Sequence, residues 1–183
     1  MKIIITENQF NILLNESEGR LDGSTLSVSG SFVEWLKHHE GSPKLKGEPV
    51  LKTYTDTVGV NTIGYGHTGK YAIPGKKITK DLALRILESD IEDATDCVLR
   101  FLENWKQNGN PGYKLKQNEF DSLVSLVYNS GCSGVRQSSF IQKLKKGDYD
   151  GTATGIKSYK SSGLENRRYA EYEMFKNGKY IKN

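Results

Sequence analysis

The chain has 183 residues and a mass of 20.5 kDa, room for one well-buried domain but not for two large ones. Its 36% hydrophobic and 26% charged residues exclude a disordered tail, and apolar runs no longer than Ile3-Ile4-Ile5 exclude both a membrane-spanning helix and an ordinary secretory signal. Lys and Arg (26) exceed Asp and Glu (22), a net charge of +4 that suits an anionic partner without marking nucleic acid.

Residues 1–30 read as an N-terminal extension. Ile3 to Ile5 suit a short strand. Thr6-Glu-Asn-Gln9 is a capping box ahead of an apolar stripe of Phe10, Leu13 and Leu14. Asn15 to Gly30, rich in Ser, Gly and Glu, reads as a linker. A helix then begins near Ser31, capped by Ser29 or Ser31, with Phe32, Val33 and Leu36 on one face, and Gly41-Ser42-Pro43 stops it. From Leu51 to Gly66 the β-branched and aromatic content predicts a hairpin turning at Gly59. Thr79 caps a long helix to about Leu102, with Ala83, Leu87, Ile91, Ala94, Val98 and Phe101 at helical steps. A loop over Asn108 to Lys114 precedes a helix over Gln117 to Asn129, apolar on most sides and therefore expected at the centre of the core. Gly131 and Gly134 break it, and shorter helices follow near Ser139–Lys146, Asp150–Lys157 and Asn166–Phe175. Cys97 and Cys132, far apart in a chain without an export signal, are expected as two free thiols.

Several motifs dissolve on inspection. Gly64-Tyr-Gly66-His-Thr-Gly69 matches a dinucleotide fingerprint in letters only, because no helix can begin in the Pro74-Gly75 segment that follows. His38 and His39 are adjacent, about 100° apart on a helix, and cannot ligate one ion from one face. No metal and no cofactor is expected. A carboxylate pair remains. Glu40 ends an apolar helix, where partial burial favours its protonated form, and Asp56 sits in a solvated turn. Two carboxyls in contrasting surroundings suit glycoside hydrolysis, one as proton donor and one to handle water or the developing cation. The plainer reading makes Glu40 a surface charge and Asp56 a turn former.

Glu40-Gly41, Leu51-Lys-Thr-Tyr54-Thr-Asp56, Gly59-Val-Asn-Thr62 and Ile63-Gly-Tyr-Gly-His67 together resemble the signature of the phage-type lysozymes, glycoside hydrolase family 24. Matching blocks follow in order at Ile78-Thr79, Gln117 to Ser125, Tyr128-Asn129, Ser139 to Tyr149 and Gly163 to Glu171. The resemblance covers roughly residues 31 to 176 and leaves 1–30 outside. It implies an α+β, mainly helical, lysozyme-like fold. A small β-hairpin lobe and a larger helical lobe would be joined by a long helix, with residues 31–183 as the catalytic domain.

The resemblance also implies a muramidase. Such an enzyme cleaves the β-1,4 bond between N-acetylmuramic acid and N-acetylglucosamine in peptidoglycan, with inversion. Glu40 would be the general acid, and Asp56 and Thr62, with five residues between them, would hold the attacking water. Asn129 is expected to bind sugar unless it only caps its helix. Tyr159 would supply aromatic packing under the cleft or simply core. Arg167 is expected near Glu40, although Arg168 could take that role. His67 is expected in a structural ion pair with Asp90. One departure stands out: fifteen residues separate Glu40 from Asp56, because 42–50 contain an insertion, polar and expected to loop out. Without an export signal the expected biology is a monomeric lysis enzyme made in the host cytoplasm. A holin-type partner would release it to the periplasmic wall, with no membrane insertion and no nucleic acid involved. The alternatives are a virion-associated or bacterial muramidase, and a non-catalytic peptidoglycan-binding module.

Overall fold

A computed structural model of the chain describes residues 19–42, 47–56, 59–160 and 162–182. The expected strand and capped helix before residue 15 lie outside the described residues. The described residues divide into two compact units, one formed by Gly30–Asp93 with Lys182, the other by residues 19–29 with Ala94–Ile181.

The first unit opens with helix α1 (Gly30–Glu40), whose buried Phe32, Trp35 and Leu36 recur at three and four residues and form one inward face. His39 stacks on Trp35 at 4.0 Å between ring centroids, with Nδ1 2.9 Å from the Trp35 carbonyl, so the last turn is held on its polar side as well. Strands β2 (Val50–Thr55) and β3 (Asn61–Gly64), which follow β1 (Leu21–Asp22) in the chain, form the expected antiparallel hairpin. Tyr54 stands opposite Thr62, and a bulge lies between Val50 and Tyr54. Residues 76–78 run back along β2, with Thr53 donating to the Lys76 carbonyl and Ile78 to that of Leu51, both at 2.9 Å. The ends of the insertion meet. Ser42 N–H donates to the Glu48 carbonyl at 2.7 Å, Tyr65 Oη donates to the Gly47 carbonyl at 3.2 Å, and Lys80 pairs with Glu48 at 2.7 Å. A Cβ on Gly41 would stand 2.7 Å from the Gly47 nitrogen, so this closure requires glycine there. The segment therefore closes at its base before Val50 enters β2, the strand that leads to Asp56.

Helix α2 (Lys80–Gln107) begins in the first unit and ends in the second; Thr79 Oγ1 caps it by accepting from Leu82 N–H at 3.1 Å. It runs beyond the expected Leu102 because Trp105, 5% exposed, continues the apolar stripe.

In the second unit, helix α3 (Gln117–Ser130) is buried without interruption from Glu119 to Val127 and is the core helix its composition predicts. Helices α4 (Cys132–Arg136), α5 (Ser139–Lys145), α6 (Tyr149–Ser158) and α7 (Glu165–Asn177) follow. α7 packs on α3 and α6, and α5 packs on α6. α4 stands where only a break is expected from the sequence: Gly131 precedes it and Gly134 lies within it, so the two glycines mask a single short helical turn.

Residues 20–29, read from the sequence as linker, are built into this unit. Strand β1 (Leu21–Asp22) pairs with β4 (Lys114–Leu115). Arg20, 8% exposed, donates from Nε and Nη2 to buried Glu119 and lies 3.6 Å from the Tyr149 ring centroid. Ser29 Oγ donates to Asp121 at 2.6 Å.

The expectation of two free thiols is corrected. Cys97 on α2 and Cys132 at the start of α4 form a disulfide with a Cα–Cα separation of 5.9 Å, and no free cysteine remains. The fold brings together two residues 35 apart, and a bridge closing a loop of that length contributes about 2–4 kcal/mol.

Candidate active site

Glu40, Asp56, Thr62, His67 and Asp90 all fall in the first unit. Glu40 is the last residue of α1 and is half-buried. Its carboxylate lies against the backbone of Gly66, where a Cβ would come within 3.0 Å of Oε2. Gly66 also has φ of 82°, a conformation that side chains disfavour. Both features explain why the Gly-Tyr-Gly segment ends on glycine: the turn after β3 brings bare backbone up to the acid.

Asp56 and Thr62 are tied together through the backbone of Val60. Val60 N–H donates to Asp56 Oδ1 at 2.8 Å, while the Val60 carbonyl accepts from Asp56 N–H at 2.9 Å and from Thr62 Oγ1 at 3.2 Å. Thr62 is 5% exposed and Asp56 is half-buried, so one member sits in the hairpin floor and the other at its rim. The five-residue interval between them is thus one tight turn plus one strand step.

Tyr54, opposite Thr62 on the hairpin, was quoted in the motif but given no role. Burial raises its phenol pKa, and the negative charges of Asp56 and Glu40 raise it further. One side chain therefore feels both carboxylates. The available signal was its place two residues before Asp56 on a strand, where alternation returns side chains to one face.

His67 Nδ1 lies 3.0 and 3.1 Å from the two carboxylate oxygens of Asp90. Burial raises the Asp90 pKa, and the hydrogen bond and charge of His67 oppose that rise. Both histidine and aspartate are largely covered, which suits a strut between the hairpin and α2.

Asn129, Tyr159, Arg167 and Arg168 belong to the second unit. Arg168 and Glu171 are fully buried and paired. Arg168 also donates from Nε to the Tyr159 carbonyl at 2.8 Å, and from Nη2 to Asn129 Oδ1 at 2.6 Å and to Ser130 Oγ at 2.9 Å. Arg167 Nε donates to Glu171 Oε1 at 3.1 Å. The Tyr159 ring meets Phe140 edge-on at 5.0 Å. The two arginines are thus distinguished: Arg168 is interior, and Arg167 lies at the edge of the same network, its side chain 11% exposed.

Among the described residues there is no group of three or more His, Cys, Asp or Glu able to hold a metal, and no helix is long and apolar enough to cross a membrane.

The phage lysozyme family matches residues 44–171, beginning four residues after Glu40. The endolysin of Salmonella phage P22 is 30% identical over 147 residues, covering 76% of this chain and 88% of its own. The endolysin of Bacillus phage B103 is 28% identical over 161 residues, covering 84% of this chain and 55% of its own, so the chain spans about half that relative's length. Among solved structures, the endolysin from Escherichia coli O157:H7 phage FAHEc1 superposes with a TM-score of 0.67 at 29% identity, covering 86% of this chain and 98% of its own. A mainly helical fold with a small hairpin, a sequence match over most of the chain and structural likeness to an endolysin agree: the chain belongs to the phage lysozyme family of glycoside hydrolases.

Proposed function

We propose that the chain is a muramidase that cleaves the β-1,4 bond between N-acetylmuramic acid and N-acetylglucosamine with inversion, in phage-driven lysis. Glu40 protonates the leaving glycosidic oxygen. Asp56 accepts a proton from water, and Thr62 positions that water as it attacks the opposite face of the sugar. The observation that carries this reading is the clustering in one unit. Asp56 and Thr62 are joined through Val60, and the Tyr54 phenol feels the charges of both Asp56 and Glu40. Residues 31–183 form the proposed catalytic domain, with 1–30 preceding it and 20–29 packed on its helical part. Asn129, Tyr159 and Arg167 are proposed to contribute substrate contacts, held in place by Arg168 and Glu171. Monomeric action on the wall after release by a holin-type partner completes the proposal.

The test is product analysis on purified peptidoglycan. Mass spectrometry should find fragments with reducing-end muramic acid, and NMR of early products should show the α-anomer first. Products ending in anhydro-muramic acid would remove water from the mechanism. A β-anomer formed first would replace inversion by retention.

Gly66→Ala supplies a second prediction. The new methyl meets Glu40 Oε2 at 3.0 Å in a backbone conformation disfavoured for alanine. The strained backbone alone costs on the order of 1–3 kcal/mol. Thermal melting should report that loss, and turnover should fall further than the melting change explains because the acid is displaced. Unchanged turnover would mean that the Gly66 contact does not position Glu40.

A further inference from the structure

We propose that the first unit carries a second binding surface, made by Lys52, Lys70, Lys76 and Lys77 around Tyr71, for the free carboxylates of peptidoglycan stem peptides. The proposal rests on the peptidoglycan reading and extends it from the glycan to its peptide branches. Its starting point is charge segregation. From Thr57 to Lys80 the sequence contains no acidic residue and four lysines, and Lys52 joins them from β2. Of these five, Lys80 is paired with Glu48; none of the other four has a carboxylate partner among the described residues.

The fold gathers these charges. Lys52 stands directly opposite Lys77 in an antiparallel bridge. The ammonium groups of Lys70 and Lys76 lie 5.1 and 5.4 Å from the Tyr71 ring centroid. A tight turn, with Lys76 N–H donating to the Ile73 carbonyl at 3.0 Å, keeps both near that ring. Like charges directly opposite in a sheet destabilise it. A surface that keeps four of them uncompensated is built for an external anion. Lys52, Lys70 and Lys77 are exposed and available to one.

The position of the patch favours stem peptides over other anions. Lys52 lies on β2, which ends at Thr55 immediately before Asp56, so the two are four residues apart, or about 13 Å at 3.3 Å per residue. A glycan held at Asp56 brings its peptide branches alongside. Lysines are flexible point charges, suited to carboxylates on a mobile chain rather than to planar two-point recognition.

The test measures binding in the Glu40→Gln chain, which should leave the polymer undigested. The probe is sacculi freed of phosphate polymers, untreated or with their carboxylates amidated by carbodiimide. Lys52→Gln, Lys70→Gln and Lys77→Gln together should weaken co-sedimentation with untreated sacculi about tenfold at low salt, an effect that shrinks as ionic strength rises. The parent should lose a similar factor on amidated sacculi, where the lysine changes should add nothing. Unchanged binding by the triple variant overturns the proposal, and so does equal weakening on both kinds of sacculi. A loss confined to phosphatidylglycerol vesicles would assign the patch, with exposed Ile73, to a lipid surface instead. The catalytic reading is judged separately by the reducing ends that the Glu40-bearing chain releases. Lysine-dependent binding without such release would sink the muramidase and leave the carboxylate surface standing.

Discussion

Glu40→Gln should lower hydrolysis of peptidoglycan by about 10²–10⁴, the range that a positioned general acid supplies. The amide keeps the shape of the side chain and its place against Gly66 but has no acidic proton to donate. Since the carboxylate lies at the end of α1 and is only half-buried, the fold should hold. The melting temperature should therefore stay within a few degrees while the rate collapses. Asp56→Asn should also abolish most turnover. It retains an oxygen for the Val60 N–H, so the turn survives while the base is lost. Thr62→Val removes only the hydroxyl and should cost less. Turnover by Glu40→Gln above about a tenth of the parent rate would show that another group protonates the leaving oxygen.

How much of this could be read beforehand depends on the range of the interactions. The hairpin was legible because alternating β-branched residues and Gly59 are local signals, and the interval from Asp56 to Thr62 spans one turn. Helices α2 and α3 were legible because burial of one face or nearly all faces writes a period into the sequence. The disulfide was not, since its two cysteines are 35 residues apart and only the fold brings them together. The two-residue pairing of β1 with β4 carries too few residues for any period, which is why 20–29 resembled a linker. The contact between Glu40 and Gly66 depends on a glycine's missing side chain, which names no partner in advance. Buried charges are the least legible. Arg20, Glu119, Arg168 and Glu171 have the composition of a solvated surface, yet all are buried, because each finds its partner from another segment or across a helical turn.

Arg168→Met is expected to be the most destabilising of the substitutions considered, at about 3–5 kcal/mol, because it leaves a buried carboxylate without its main partner. Arg168 and Glu171 are both fully buried, and Glu171 accepts from Arg168, Arg167 and Ser125. Removing the Arg168 guanidinium also strips donors from the Tyr159 carbonyl, Asn129 Oδ1 and Ser130 Oγ. At about 2–4 °C per kcal/mol for a chain of this size, melting should fall by about 6–20 °C. Arg167→Met should cost less, since its side chain is 11% exposed and Glu171 keeps Arg168. The decisive measurement is the cycle with Glu171→Leu. Once the carboxylate is gone, the further removal of Arg168 should cost much less than it does alone, with a coupling of about 1–3 kcal/mol. An additive double variant, or a loss below about 1 kcal/mol for Arg168→Met, would mean that the two buried groups do not depend on each other. The same variants connect stability to substrate contact. If Arg168 orients Asn129 and Tyr159, Arg168→Met should raise KM for peptidoglycan fragments at a temperature where the variant is still folded, while Glu40-dependent turnover persists.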